Sequence, residues 1–175
     1  VSNWLNFSQG GVACLPMKTE HTDNEFEELR TSFEASYQVL KQVHCPYLDM
    51  AVHFNAMGLE HLKFGRKNHA RPHQEQAIRM QLFYLASQII QASRTVQGLS
   101  QARGFEAIRS NGGTDTRLVQ ISYTEFVAIL DNKRVRVVLK RIEDGPWFYW
   151  SVIPFWKINL RNGGRKIHYG NPEVD

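Results

Sequence analysis

After residue 117 the chain reads as β-runs separated by turn signals, and this alternation limits its fold more than any other feature. Residues 118–130 are rich in β-branched and aromatic residues and read as one long strand or two. Asp131-Asn132 marks a hairpin turn, 134–142 is a second β-run, and Glu143-Asp144-Gly145-Pro146 is a second turn. Residues 147–153 form an aromatic strand ended by Pro154, and Asn111-Gly112-Gly113 is a further turn signal ahead of the series. Strands joined by tight turns make an antiparallel meander, which needs something to cover one of its faces.

The cover lies upstream. Thr22 followed by Glu25 resembles a capping box, and Phe26, Leu29, Phe33, Val39, Leu40 and Val43 recur at roughly helical spacing. This predicts a helix over 23–43, ended by His44-Cys45-Pro46, because a residue before proline is pushed out of the α region. Residues 47–57 read as extended (Met50, Val52, Phe54) and end near Gly58, with a helical turn over 59–64 after them. Residues 65–72 form a basic loop, and 74–94 a second long helix with Ile78, Leu82, Leu85 and Ile89 in one stripe. Gly98 is its expected stop, and residues 1–21 read as an irregular arm. The expected fold class is α+β, with N-terminal helices packed on one face of a C-terminal antiparallel β-meander. The expected division is 1–45, an arm and an acidic helix, and 46–175, the main domain.

Strand alternation sorts the side chains by face. The apolar sets Phe126/Ala128/Leu130, Val135/Val137/Leu139 and Phe148/Trp150/Val152 are expected under the helices. The mixed sets would then make an open face on which Arg136, Lys140, Tyr149, Ser151, Tyr123 and Glu125 are neighbours. Cations, hydroxyls and flat rings together suit a phosphodiester backbone and stacked bases. By themselves they also fit simply the wetted side of a half-exposed sheet.

Charge divides along the chain. Residues 1–60 hold three basic and eight acidic residues, whereas 61–175 hold eighteen basic and nine acidic. A basic later part suits a polyanionic ligand, or simply a soluble basic surface. No apolar run approaches the roughly 18 residues of a membrane span, and no leader pattern is visible. Cys14 and Cys45 are the two cysteines. They are expected to be reduced thiols of a cytosolic protein, with a single bridge between them as the alternative.

Five of the seven histidines fall between His44 and His73. Imidazole is the side chain best matched to proton transfer near neutral pH. Cleaving RNA at its own 2′-hydroxyl needs one group to take that proton and one to protonate the leaving oxygen. It also needs a cation beside the charged phosphorus centre. Histidines with Arg and Lys supply all three, so no cofactor and no metal are expected. The competing metal reading rests on His69, His73 and Glu75, and Pro72 between the histidines argues against a regular helical pair. Phosphate-binding loop, dinucleotide fingerprint, Gly-x-Ser-x-Gly and HExxH motifs are absent from the sequence.

Three stretches carry a resemblance. They are His53-x-Asn55-x-x-Gly58-x-x-His61-Leu62 with Arg71 before a long helix, Val135-Arg136-Val137-Val138-Leu139-Lys140-Arg141, and Phe148-Tyr149-Trp150-Ser151-Val152-Ile153-Pro154-Phe155-Trp156-Lys157. Over roughly residues 50–160 the chain resembles a phage- and mobile-element-associated branch of the barnase/EndoU/colicin/RelE-like (BECR) nuclease superfamily. The resemblance implies a small α+β nuclease domain over 46–175 and metal-independent endoribonuclease activity, toxin-like in kind. It also implies RNA as partner, restraint by a dedicated immunity protein or antitoxin, and action in the cytoplasm, by delivery from another cell or element or otherwise. Carried over by type and order, His53, His61, Arg71 and Ser151 are the catalytic candidates. Arg136, Lys140, Tyr149 and Lys157 are the substrate-binding candidates. His168, the one late histidine, lies beyond the meander. Two other readings stay open: a non-catalytic basic module holding nucleic acid or an acidic protein, and a structural component of a mobile element.

Overall fold

The computed structural model describes Lys18 and residues 20–65, 69–110, 112–130, 133–158 and 165–167. Its elements are α1 (Asp23–Val39), β1 (Gln42–Cys45), β2 (Met50–His53), α2 (Ala56–Lys63), α3 (His73–Ala92), β3 (Gly98–Ser110), β4 (Gly113–Leu130), β5 (Lys133–Ile142), β6 (Phe148–Pro154), β7 (Trp156–Ile158) and β8 (Arg165–Ile167). Strands β1 to β6 form one sheet in the order β1-β2-β6-β5-β4-β3, and β7 pairs with β8 separately. All pairings are antiparallel except β2–β6, which are parallel and meet at His53 and Phe148. This is the α+β architecture expected: Phe83, Leu85, Ile89 and Ile90 of α3 share one core with Phe126, Val135, Val137, Leu139 and Val152 of the sheet. No helix among the described residues is long and apolar enough to cross a membrane.

Two boundaries differ from the expectation. Helix α1 stops at Val39, and Val43 belongs to β1, where Val43 and Cys45 alternate inward. A helical period and a two-residue period agree over so short a stretch, and pairing with β2 decides it. Residues 98–117 also form strands, the whole of β3 and the start of β4, because the hairpin pairs from Gly98↔Glu125 to Ser110↔Gly113. Polar residues at Ser100, Gln101, Arg103, Glu106 and Thr114–Arg117 hid them from an apolar pattern. Cys45 is a free, buried thiol, and Cys14 lies outside the described residues.

Helix α1 belongs to the same core through Phe26, Phe33 and Tyr37, so residues 23–45 pack on the domain that follows. Its start is fixed by the expected capping box: Thr22 accepts from the Glu25 amide and Glu25 accepts from the Thr22 amide. Thr22→Ala should lower stability by about 1 kcal/mol in urea unfolding. The Lys18 ammonium, followed by the Thr22 donors, holds the Glu25 carboxyl below its ordinary 4.5, at about 2. A depressed carboxyl stabilises fully above its unfolded value and ceases to do so as pH falls through its folded one. An NMR titration should place the Glu25 midpoint near 2, and Lys18→Ala should raise it.

Strand β6 departs from simple alternation. Leu139 faces Tyr149 and Val138 faces Ser151, so Trp150 is an extra residue, a β-bulge. One inserted residue exchanges the faces of everything beyond it. Tyr149 and Val152 therefore both join the helix-side core, while Trp150 and Ile153 pack on the opposite side. This corrects the expected placement of Tyr149 on the open face and of Trp150 under the helices; Ser151 stays in register with Val138 but is fully buried.

That opposite face is not wet. Lys140 lies in register with Tyr123, and Tyr123 with Ser100. Yet the Lys140 ammonium donates to Glu106, six residues farther along β3. A flat strand would put Glu106 about 20 Å away at roughly 3.3 Å per residue. The β3–β4 hairpin must therefore curl back over the sheet. Val119, Ile121, Tyr123, Val138 and Ile153 form a second small core beneath it, with Ala102, Ile108 and Trp150 against them.

Candidate functional site

The curled hairpin and α2 leave a cleft of about 760 Å³ between them. Its helix wall is Ala56, Met57, Glu60 and His61, its hairpin wall runs from Ala102 to Glu106, and Ile121, Tyr123, Lys140 and Trp150 form its floor.

Local chemistry explains how α2 presents His61. Asn55 caps the helix by accepting from the Gly58 amide at 3.1 Å. Gly58, one turn in, lies directly on β6: a Cβ there would be 2.2 Å from the Tyr149 carbonyl oxygen and 2.6 Å from the Tyr37 hydroxyl. His61, three residues later, is on the same face of the helix and meets the next residue of that strand. Its ring stacks on Trp150 with centroids 3.9 Å apart and planes within 17°. The Asn55-x-x-Gly58-x-x-His61 spacing is thus a cap, a close approach and a stacked imidazole in succession. Gly58→Ala should destabilise the fold by at least about 1–3 kcal/mol, read in denaturant unfolding, because the clash is with backbone.

Lys140 reaches the same indole from β5. Its ammonium is 4.1 Å from the Trp150 ring centroid and 2.5 Å from Glu106 Oε1. Only 3% of Lys140 and 9% of His61 is exposed. A charge pair so enclosed interacts far more strongly than it would in water. The cleft therefore gathers an imidazole, an ammonium, a carboxylate and the Tyr123 phenol around one indole.

Of the residues expected from sequence, His61 and Lys140 meet here and the others are elsewhere. His53 pairs through its backbone, its amide donating to the Trp147 carbonyl, and its side chain is not part of the cleft wall. Arg71 is buried behind His61: its Nε donates to the His61 carbonyl oxygen at 3.2 Å, and its amide donates to the Lys63 carbonyl. These bonds tie it to the end of α2. Ser151, at the bulge, accepts from Arg79 of α3 within the buried interior. Arg136 shares the Lys140 face four residues along β5, about 13 Å away. It pairs with Glu125 at 3.3 Å and lies over the Phe155 ring. The Tyr149 ring stacks on Phe54 in the helix-side core, and complete burial pushes its phenol well above its ordinary value. Lys157 lies on β7, and its side chain is outside the described residues. His73 of the metal reading stacks on Phe26 at 4.2 Å, which gives that ring a packing role.

Sequence reasoning gave no role to Glu106, Arg103 or Trp150, and placed Tyr123 on the face without a role. Trp150 was legible only with the bulge in hand. Glu106 sits in a strand that no apolar pattern marks, and curling of the hairpin alone brings it to Lys140. Comparison of the chain with protein-family models, curated proteins and solved structures gives no match in any of the three.

Proposed function

We propose that this cleft cleaves RNA without a metal ion, through attack of the 2′-hydroxyl on the adjacent phosphorus. The observation that carries the reading is the meeting of His61 and Lys140 on one indole beside Glu106. In the reaction a base takes the 2′-hydroxyl proton and the 2′-oxygen bonds to phosphorus. The bond to the 5′-oxygen breaks, and an acid protonates that oxygen, leaving a 2′,3′-cyclic phosphate. His61 supplies one of the two proton-transfer groups, and Glu106 is the carboxylate within reach of the same space for the other. Lys140 offsets charge on the phosphoryl oxygens, where a preformed cation in an enclosed site acts most strongly. Its bond to Glu106 gives way to phosphate as the substrate enters. Arg71 acts one step back, holding the carbonyl of His61 and so the direction of the ring.

Total RNA incubated with the protein in EDTA should yield fragments ending in 2′,3′-cyclic phosphate. Such an enzyme acts where RNA is, in the cytoplasm, and an immunity protein or antitoxin would restrain it by covering the cleft. The basic excess of residues 61–175 by itself favours a second reading, a non-catalytic module for nucleic acid or an acidic protein. Binding without cleavage in the same incubation selects that reading.

A further inference from the structure

The curled sheet ends in a strand edge left unpaired among the described residues. β3 is the last strand of the sheet and pairs with β4 alone. The far side of β4 shows which backbone groups of β3 are spent on that pairing. The Glu143 amide donates to the Gln120 carbonyl at 2.8 Å, so Gln120 turns its backbone groups toward β5. Its neighbours Val119 and Ile121 turn theirs the other way, to their partners Gly104 and Ala102 on β3. The alternate residues of β3, Gln101, Arg103 and Phe105, therefore point N–H and C=O away from the sheet. No hydrogen bond to these groups is found among the described residues. This edge opens on the cleft. Residues 102–106 are the cleft wall, and the floor runs from Ile121 and Tyr123 of β4 through Lys140 of β5 to Trp150 of β6. α2 rests on β6 at the far end of that floor, so the curl turns the last edge of the sheet toward α2.

We propose that the cleft receives an extended peptide segment, which adds to β3 as a seventh strand of the sheet. The unpaired groups recur at every second residue, about 6.8 Å apart, and each position offers one donor and one acceptor. A second extended chain matches that repeat with its own N–H and C=O groups. A ribose–phosphate backbone presents chiefly acceptors and matches half of it. Side chains set the composition of the incoming strand. Arg103 and Phe105 share the outer face of the hairpin, both exposed, Phe105 at 74%. The acid of β3, Glu106, is turned the other way, to Lys140, and the register partner of Arg103 is the neutral Gln120. Leu118, opposite Phe105 and 52% exposed, widens the apolar spot. An acidic side chain beside Arg103 and an apolar one beside Phe105 complete the two cross-strand pairs. On the inner face Ala102 and Gly104 are small and leave room for the new side chains above Ile121 and Trp150. The occupant is thus an extended segment with an apolar and an acidic residue two positions apart. The proposal goes beyond the ribonuclease reading and stands without it.

Amide hydrogen exchange on the full chain tests it, with the acetylated amide of Thr-Thr-Ile-Val-Glu-Thr-Thr as the probe. Laid antiparallel to β3, this peptide sets its Ile beside Phe105 and its Glu beside Arg103. Without peptide, the Arg103 and Phe105 amides should exchange faster than those of Ala102 and Gly104. Peptide at about ten times its Kd should slow the Arg103 and Phe105 amides about ten-fold. Methylating alternate peptide amides separates edge pairing from a merely apolar contact. The set facing β3 should lose binding by about ten-fold or more, and the intervening set should stay within a few-fold. Arg103→Glu should weaken the peptide about five-fold, and a peptide with Lys in place of its Glu should recover binding. Equal exchange of the four amides without peptide, or no slowing at about 1 mM peptide, would overturn the proposal. So would equal losses from the two methylated sets, or no recovery by the Lys peptide. Slowing of the same amides by a short single-stranded RNA and not by the peptide would also overturn it, and would assign the edge to nucleic acid. Each readout is independent of RNA cleavage.

Discussion

His61→Ala is expected to reduce RNA cleavage by roughly 10²–10⁴-fold, the ordinary contribution of a positioned proton-transfer group. The fold should survive it. The ring is buried against Trp150, and loss of that stacking costs about 0.5–1.5 kcal/mol. His53→Ala serves as the control: its ring is outside the cleft, so cleavage should stay within a few-fold of the unaltered protein. The pair separates the two imidazoles that sequence spacing alone leaves equivalent. Kinetics with a short defined RNA, beside thermal unfolding of each variant, check both.

Lys140→Met is expected to lower cleavage by about 10²–10³-fold, as loss of one preformed electrostatic group does. Methionine keeps most of the side chain's length and removes the charge, and with it the ammonium's contact with the Trp150 ring. It also leaves Glu106 as a largely enclosed carboxylate without its ammonium, so stability should fall, by up to about 3 kcal/mol. Lys140→Met/Glu106→Gln removes that orphaned charge and should regain stability without regaining cleavage. RNA binding to the single variant should also lose about 0.7 in the slope of log affinity against log salt, one phosphate contact on a single strand. Recovery of both stability and cleavage in the double variant would make Lys140 a structural residue only.

How much of this was legible in the sequence follows from which contacts are local. The capping box at Thr22, the stripe of α3 and the alternation of β5 depend on near neighbours, and each appears where the pattern put it. The inward set Val135, Val137 and Leu139 was readable for the same reason. Beyond that, single events of long range decide. The bulge at Trp150 moved Tyr149 to the helix side, and nothing in Phe148-Tyr149-Trp150-Ser151 announces an extra residue. Curling of the β3–β4 hairpin brought Glu106 to Lys140 across a distance that register alone forbids. The Arg71 side chain turned toward the His61 carbonyl instead of outward, because the loop after α2 folds back, with Phe64 opposite Ala70. The sequence thus held the imidazole and the ammonium of the cleft, but the carboxylate bonded to the ammonium is a product of tertiary curvature.

The central claim is that imidazole, ammonium and carboxylate act together on a phosphodiester, and end-group analysis of RNA cleaved in EDTA tests it most directly. The account predicts 2′,3′-cyclic phosphate ends from the unaltered protein and almost none from a folded His61→Ala variant. Intact RNA after incubation with the folded unaltered protein, or equal yields of cyclic ends from the two, would contradict it.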